Sequence, residues 1–334
     1  MAAALRSDAL RVTTPLADAL EAALAGGDDR QLQDTLEIHP VGRRDAALAL
    51  AQVHDLHLAP LHTLGDKVRL QHHPVVATLK HRLEQAYLRR LPAPTTADED
   101  AVAGMRRIAA IDLVPPVYDW IADEASLEEM RAYLTLEGGP DGGFDDLVAL
   151  CQIGIDGEPK VELATNYWDE MGRGDLTAVH TELHHRMAKA LGLTAVDRRD
   201  QPVEALERSL LGSTLATNRA LQPEMVGALG LLELQAGPRC RRVVKGLKRL
   251  GRGEDALAFY EEHAVADPRH GKDWLDHVVG PLAERFPEWA PRIITGARWR
   301  SHMNAAFFAM ADTRRSTASA GTAGGAATRA SRTA

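Results

Sequence analysis

Three residues with metal-ligating side chains, His263, Asp267 and His270, recur at helical spacing in the last third of the chain. Offsets of four and seven residues rotate an α-helix by about 400° and 700°, so the three side chains leave the helix in nearly one direction. Two imidazoles and a carboxylate facing one way suit a redox metal such as iron and leave coordination positions for oxygen or a substrate. A solvated helix face could carry the same residues, and the spacing alone leaves both interpretations open.

A single acidic residue, Glu233, interrupts an otherwise apolar run that begins at Val226. Its neighbours predict burial, and an ionised carboxylate is costly to bury unless it is paired or bound to a metal. The nearby Gln235 permits the alternative that Glu233 is a polar position on an amphipathic helix. We favour the ligand interpretation because glutamate rarely interrupts such a run without a partner.

Two further candidates, Glu170 and His180, are ten residues apart in the chain. On one continuous helix this spacing would be nearly three turns and would leave the side chains about 80° apart. Two intervening glycines weaken that helix, and a capped turn between two surface helices is the alternative. Glu162 and Asp169 compete with Glu170 for the ligand role.

Glu137 is expected to end a helix just before a Gly-Gly pair. A carboxylate in the last turn of a helix opposes the helix dipole, so another cause should favour it there. A metal is one such cause and a solvated helix end is the other. Asp145 and Asp146 are nearby alternatives.

The chain contains one E-x-x-H match, formed by Glu182 and His185. Ferritin-like di-iron bundles need two such motifs on different helices, so one match is too few. We therefore expect His184 and His185 to be surface residues.

Pro268 stands between Asp267 and His270 and argues against a regular ligand-bearing helix. A proline removes a backbone donor and clashes with the preceding turn. We expect a kink there, or a new helix capped by Asp267 with Pro268 at its first position.

Composition excludes several classes of protein. The 334 residues include 47 acidic and 39 basic side chains, a net charge of -8 that argues against nucleic acid as a partner. Cys151 and Cys240 are too few for a disulfide framework and suit a reducing cytoplasm. We find no pattern of a signal peptide at the start and no apolar run long enough for a membrane span. We expect a soluble, cytoplasmic protein.

Helical periodicity with Gly or Pro breaks dominates the chain and predicts an all-α fold. The Ser126 and Glu129 pair predicts a capping box. We expect helices near 16–26, 44–53, 75–91, 126–137, 143–153, 159–171, 175–191, 203–219, 223–236, 238–250, 254–267, 269–286 and 288–310. The segment 91–98 is expected to be a loop, and the Ser-, Thr-, Ala-, Gly- and Arg-rich residues 312–334 are expected to be a disordered tail.

Over roughly residues 125–310, the chain resembles the haem-oxygenase-like di-metal oxidases, also described as iron-containing redox enzymes. The resemblance is carried by the stretch from Asn166 to Thr181, by Glu233, and by the His263 array followed by Gly271. It implies a haem-oxygenase-like helical bundle at 116–311, with residues 1–115 as N-terminal accessory helices. It also implies that the metal ligands are Glu137, Glu170, His180, Glu233, His263, Asp267 and His270.

The resemblance further implies two Fe(II) ions, with manganese as an alternative, O2 as co-substrate and no haem. Four carboxylates and three imidazoles suit such ions better than a closed thiolate zinc site. The expected reaction is oxidation of a small molecule, an amine or amino acid above all, by N-oxygenation, oxidative C–C cleavage or desaturation in natural-product biosynthesis. A homodimer is left open. The aromatic residues near the site line a pocket or pack in the core, namely Tyr167, Trp168, Phe259 and Tyr260.

Two other functions remain open from the sequence. One is a ferritin-like iron-binding bundle that uses Glu182 and His185. The other is a metal-free helical module that binds a small ligand or a partner protein. An iron assay on a His185→Ala variant separates the first from a di-metal oxidase. The second predicts no iron above background after anaerobic loading with ferrous salt.

Overall fold

The computed structural model describes residues 13–96, 99–138 and 143–330, with side chains as far as residue 315. These described residues form helices and no strand, so the all-α prediction is confirmed. The α-helices in chain order are α1 (Pro15–Gly26), α2 (Asp29–Thr35), α3 (Gly42–Leu58), α4 (Leu61–Leu64), α5 (Pro74–Leu88), α6 (Ala101–Ile111), α7 (Pro116–Asp123), α8 (Leu127–Glu137), α9 (Phe144–Cys151), α10 (Gly157–Glu170), α11 (His180–Leu191), α12 (Val203–Ala216), α13 (Gln222–Arg249), α14 (Glu254–Asp273), α15 (Gly280–Arg285) and α16 (Ala290–Ala330).

Short 3-10 segments connect several of these helices, and one π-helical turn follows α14. The 3-10 segments are Gly65–Leu70, Gly172–Gly174, Arg219–Leu221 and Pro287–Trp289, and the π-helical turn is Trp274–Val279. The predicted capping box is present at the start of α8. Ser126 N donates to Glu129 Oε2 at 2.9 Å, and Glu129 N donates to Ser126 Oγ at 3.3 Å. The predicted loop at 91–98 is non-helical over its described residues 91–96.

The long helix α13 is central, and it packs against α7, α14 and α16. At Gly271 of α14, a Cβ atom would lie only 3.0 Å from Leu234 Cα and 3.1 Å from Glu233 O of α13. A glycine at this position therefore lets the two helices approach backbone to backbone. The close approach brings Glu233 next to the ligand-bearing face of α14.

The helix breaks predicted between 236 and 238 and between 267 and 269 are wrong. Pro238 lies inside α13 and Pro268 lies inside α14, so neither helix ends at its proline and Asp267 does not cap a new helix. A proline inside a helix loses one hydrogen bond, and tertiary packing compensates here. The ring of Pro268 would come within 2.7 Å of a Cβ at Gly237, which shows how closely it fits against α13.

The helices that precede residue 115 share a hydrophobic cluster with later helices. Leu16, Leu50 and Leu79 of α1, α3 and α5 belong to the same cluster as Leu229 of α13 and Ile293 of α16. A second cluster joins α7, α8, α11, α13, α14 and α16. The division into accessory helices and a core bundle stays a prediction.

The last helix extends into the segment expected to be a C-terminal tail. The backbone of α16 is helical as far as Ala330, and the disordered tail at 312–334 stays a prediction. Residues 331–334 lie outside the described part, as do the start of the chain up to residue 12 and the predicted break at 139–140. No helix among the described residues has the length and hydropathy needed to cross a membrane.

Candidate metal centre

Six of the seven predicted ligands come together in two groups of three. Glu170, His180 and His263 form the first triad, and Glu233, Asp267 and His270 form the second triad. Within each triad, one ligand atom per residue lies within 4.8 Å of the others. That these residues bind metal remains a prediction, but the structure places them as such a site requires.

The first triad is assembled across a tight turn and not along one helix. Glu170 is the last residue of α10 and His180 is the first residue of α11, so the expected rotation of 80° on a shared helix does not apply. Between them, Gly172 has φ +60° and the non-glycine Arg173 has φ 53°. A Cβ at Gly172 would lie 2.6 Å from the backbone of Ala178, so this turn requires glycine.

The first triad is completed by His263 of α14. The centroid of its ring lies 4.5 Å from the centroid of the His180 ring. The Nδ1 atom of His263 lies 2.7 Å from the carbonyl oxygen of Phe259, to which it donates as N–H. This hydrogen bond leaves the Nε2 lone pair available, which is the tautomer that a metal ligand needs. Burial and the nearby His180 lower the pKa of His263, which favours the neutral imidazole.

The second triad lies between α13 and α14. Glu233 Oε2 is 3.6 Å from His270 Nδ1, and Glu233 Oε1 accepts a 2.9 Å hydrogen bond from Asn166 Nδ2. All three members are almost completely buried, with exposures of 3% for Glu233 and 2% for Asp267 and His270. The burial predicted for Glu233 from its apolar neighbours is confirmed.

Two of the triads' three carboxylates, Glu233 and Asp267, meet in the second triad. Burial, followed by the charges of Glu233 and Glu170, raises the pKa of Asp267 well above its usual range. Burial also disfavours the charged form of His270, but the carboxylates of Glu233 and Asp169 outweigh it and raise its pKa to about 9. A bound divalent cation would stabilise the ionised form of Asp267.

Several buried polar atoms of the triads have no hydrogen-bond partner among the described residues. They are His180 Nδ1, Asp267 Oδ2 and His270 Nδ1. His180 Nδ1 lies 2.8 Å from Glu170 Oε2, but the angles are not those of a hydrogen bond. Orphaned nitrogen and oxygen atoms that converge in a buried site fit a metal, and an all-N/O donor set suits iron or manganese.

A buried carboxylate outside the predicted set, Asp169, supports His270. It accepts hydrogen bonds from His270 Nε2 at 2.8 Å, from Arg173 Nε at 2.6 Å, and from Arg269. Burial opposes ionisation of Asp169, but these donors, Arg173 foremost, hold its pKa well below the usual range. The sequence offered Asp169 only as a competitor for the ligand role of Glu170. The packing of α10 against the π-helical turn that follows α14, which sequence spacing does not reveal, gives it this second role.

Glu137 lies outside both triads. It is the last residue of α8, as predicted, and its Oε1 accepts hydrogen bonds from Tyr118 and from Tyr133, the latter at 3.4 Å. Burial and the charge of Glu137 raise the pKa of both tyrosines well above the usual value, so both remain protonated donors. A ligand role for Glu137 stays a prediction.

One cavity of about 320 Å³ connects the triads with Glu137. Phe259 and Tyr260 line it, whereas Tyr167 and Trp168 do not, and Trp168 is 54% exposed. His185 is exposed as expected. His184 is not a surface residue: it is buried, lines the cavity and packs against Phe259 with ring centroids 4.8 Å apart. The largest part of the remaining wall comes from α13, with Leu232, Ala236, Arg239, Cys240 and Val243. Tyr118, Phe144, Asp145, Thr181 and Arg208 from other helices also line it.

Comparison with known proteins identifies the family of the chain. No curated protein matches the chain. The model of the iron-containing redox enzyme family, which is haem-oxygenase-like, matches residues 131–305, more than half of the chain. This range includes both triads, Glu137 and most of the cavity wall. The chain therefore belongs to the iron-containing redox enzyme family.

Proposed function

We propose that this protein is a non-haem di-iron oxidase that uses O2 to oxidise a small molecule. The observation that supports it best is the pair of buried triads, five of whose six residues line one cavity. Each triad offers carboxylate and imidazole donors, and neither is closed by thiolates, so coordination positions remain for oxygen and substrate. Two ferrous ions, when bound there, would supply the electrons that reduce O2.

The residues around the triads have distinct tasks in this proposal. His263 would bind through Nε2, because the Phe259 carbonyl fixes Nδ1 as the donor. His270 would bind through Nδ1, because Asp169 occupies its Nε2. Buried aromatic side chains such as Tyr260 keep bulk water from the centre, which strengthens every electrostatic interaction inside it.

The substrate we propose is an amine or amino acid, and the reaction is N-oxygenation, oxidative C–C cleavage or desaturation, in natural-product biosynthesis. The cavity of about 320 Å³ is at the small end of the range of ligand pockets. Outside the triads, its wall carries two carboxylates, Glu137 and Asp145, and two guanidinium groups, Arg208 and Arg239, so it is chemically suited to a polar small molecule.

Anaerobic loading with ferrous salt, followed by metal counting and exposure to O2, tests this proposal. We expect two iron ions per chain and a change in absorbance with O2 consumption. Loading to fewer than one iron per chain, or iron that does not react with O2, would contradict it. Manganese loading in parallel determines whether the site prefers iron.

The alternatives have less support. A ferritin-like centre would use Glu182 and His185, but both are exposed, and the described residues offer no metal-ligand group that contains them. A metal-free binding module does not explain why two groups of three metal-ligating side chains lie together in the interior. A His185→Ala variant that keeps its iron excludes the ferritin-like centre, and iron binding by the wild type excludes the metal-free module.

A further inference from the structure

Two arginines line the cavity together with the triads, Arg208 of α12 and Arg239 of α13. The Arg239 residue is only 5% exposed and Arg208 is half-buried. Lysine and arginine are almost never buried unless they are paired. The partners of these two guanidinium groups therefore indicate what the cavity can bind.

The guanidinium of Arg239 is fixed by neutral partners. Its Nε donates to Leu113 O at 3.1 Å, and its Nη2 donates to Asp112 O at 2.6 Å and Gln235 Oε1 at 2.8 Å. Its Nη1 donates to none of the described residues. The ring of Phe308, whose centroid is 5.2 Å from Arg239 Cζ, also holds the group in place. Arg239 is thus held in a fixed position, and the N–H donors of its Nη1 remain available to a ligand.

Arg208 is held in the same manner. Its Nε donates to Asn304 Oδ1 at 2.9 Å and its Nη1 donates to the backbone oxygen of Glu137 at 2.6 Å. The ring of Phe307 lies against the guanidinium, with its centroid 4.9 Å from Cζ. In the described part of the chain, Nη2 of Arg208 has no acceptor.

The charges of these two guanidinium groups are not neutralised by ion pairs. Neither Arg208 nor Arg239 forms an ion pair with a carboxylate of the described residues, and Arg300 adds a third buried cation behind Arg208, donating to its backbone oxygen at 3.2 Å. Outside the triads, two carboxylates also line the cavity: Asp145, and Glu137, to which Tyr118 and Tyr133 already donate. An anion that enters the cavity would compensate these desolvated cations.

We propose that Arg208 and Arg239 bind a carboxylate group of the substrate. Guanidinium N–H donors match the two oxygens of a carboxylate in spacing and charge, and pre-positioned donors lose little entropy on binding. The rest of the substrate would then extend along the cavity towards the triads. This inference rests on the proposed function and narrows its substrates to carboxylic acids, including amino acids, and excludes amines that lack an acid group.

Calorimetric titration of the metal-free protein with hexanoate, hexanamide and hexan-1-amine tests the inference without iron. We expect hexanoate to bind at least about tenfold more tightly than the other two ligands, because its charge-assisted hydrogen bonds are missing from both. Arg208→Gln and Arg239→Gln should each weaken hexanoate binding by about tenfold or more. Arg242→Gln is the matched control, because Arg242 is also on α13 but pairs with Asp119 at the surface, 2.9 Å away.

Four results overturn the inference: no measurable binding of hexanoate to the wild type, equal affinity for acid and amide, tighter binding of the amine, or unchanged affinity in the two folded variants. If Arg239→Gln does not fold, the hexanoate affinities of Arg208→Gln and of the charge-preserving Arg239→Lys are used for the test instead. Repeating the titration on the anaerobic iron-loaded protein identifies acids that bind the metal directly, since such binding would not depend on the arginines. Iron counting and O2 consumption are measured separately, so failure of the oxidase proposal and failure of the carboxylate site give different results.

Discussion

The two triads use the same residue types in different proportions. The first has one carboxylate, Glu170, with two imidazoles, whereas the second has two carboxylates, Glu233 and Asp267, with one imidazole, His270. In the first triad, burial opposes ionisation of Glu170 but the neighbouring His180 outweighs it and lowers its pKa. In the second, burial and like charge raise the pKa of Asp267. The charged form of the carboxylate is therefore favoured in the first triad by its own neighbours. In the second triad, the charged form of Asp267 is disfavoured unless a cation is bound.

The triads also differ in what holds them. The first depends on a turn that is local in sequence and on one backbone carbonyl behind His263. The second depends on packing between helices and on side chains from α10, with Asn166 behind Glu233 and Asp169 behind His270. The difference between the triads shows that a group of ligand-type side chains can be positioned by a turn or by an outer layer of hydrogen bonds.

Removing a ligand from either triad should have the largest effect. We expect His263→Ala, or Asp267→Ala, to reduce turnover by more than about a hundredfold and to lower the iron content, since outer partners alone are worth roughly 10- to 100-fold. Helicity measured by circular dichroism should be largely unchanged. The control is His277→Ala, because His277 is a surface residue that pairs with Glu158 at 2.7 Å. Full activity of either ligand variant would refute the assigned centre.

The outer layer of the second triad should have the next largest effect. We expect Asp169→Asn to weaken iron binding by about 10- to 100-fold, because His270 loses the charged acceptor that orients it. Competition with a chelator measures this change. Asp156→Asn is the control, because Asp156 is exposed and its side chain pairs with Arg285 at the surface. Equal iron affinity in the two variants would mean that Asp169 does not position His270.

The charge conflict in the second triad predicts a trade between stability and metal binding. Because the folded pKa of Asp267 is raised, its contribution to stability is present below its unfolded pKa of about 4 and is lost as pH rises towards the folded value. The slope is at most about 1.4 kcal/mol per pH unit for one proton. We therefore expect Asp267→Asn to stabilise the metal-free protein increasingly from pH 5 upwards, while it weakens iron binding.

Urea unfolding of the metal-free wild type and Asp267→Asn at several pH values measures this difference. Using the difference between the two proteins removes the contributions of other groups, such as His270, that titrate in both. A variant that is less stable than the wild type at neutral pH would show that the second triad is not under charge strain.

The smallest effect should follow replacement of Glu137, which lies outside both triads. We expect Glu137→Gln to lower iron content less than Glu233→Gln does, because its side chain is engaged by Tyr118 and Tyr133. Parallel iron counting on the two variants makes the comparison. An equal loss of iron would show that Glu137 moves and becomes the seventh ligand.

Much of the fold follows from local rules that can be applied to the sequence. Apolar periodicity gave the all-α class, the Ser126 and Glu129 pair gave the start of α8, and the apolar neighbours of Glu233 gave its burial. The helix breaks predicted near Pro238 and Pro268 were wrong, because both prolines lie inside helices whose packing outweighs the lost hydrogen bond. His184 also misled, because its burial depends on Phe259, which is distant in sequence.

The sequence by itself determined which residues could bind a metal, because ligand chemistry belongs to the side chain and the spacing of His263, Asp267 and His270 belongs to one helix. Only the tertiary structure decided how the candidates divide into two triads, since that depends on the turn after α10 and on the close approach of α13 and α14 at Gly271. The structure also decided that Asp169 supports His270 and that Arg208 and Arg239 face the cavity. Contacts between distant segments are fixed by packing of whole helices, and no local pattern encodes them.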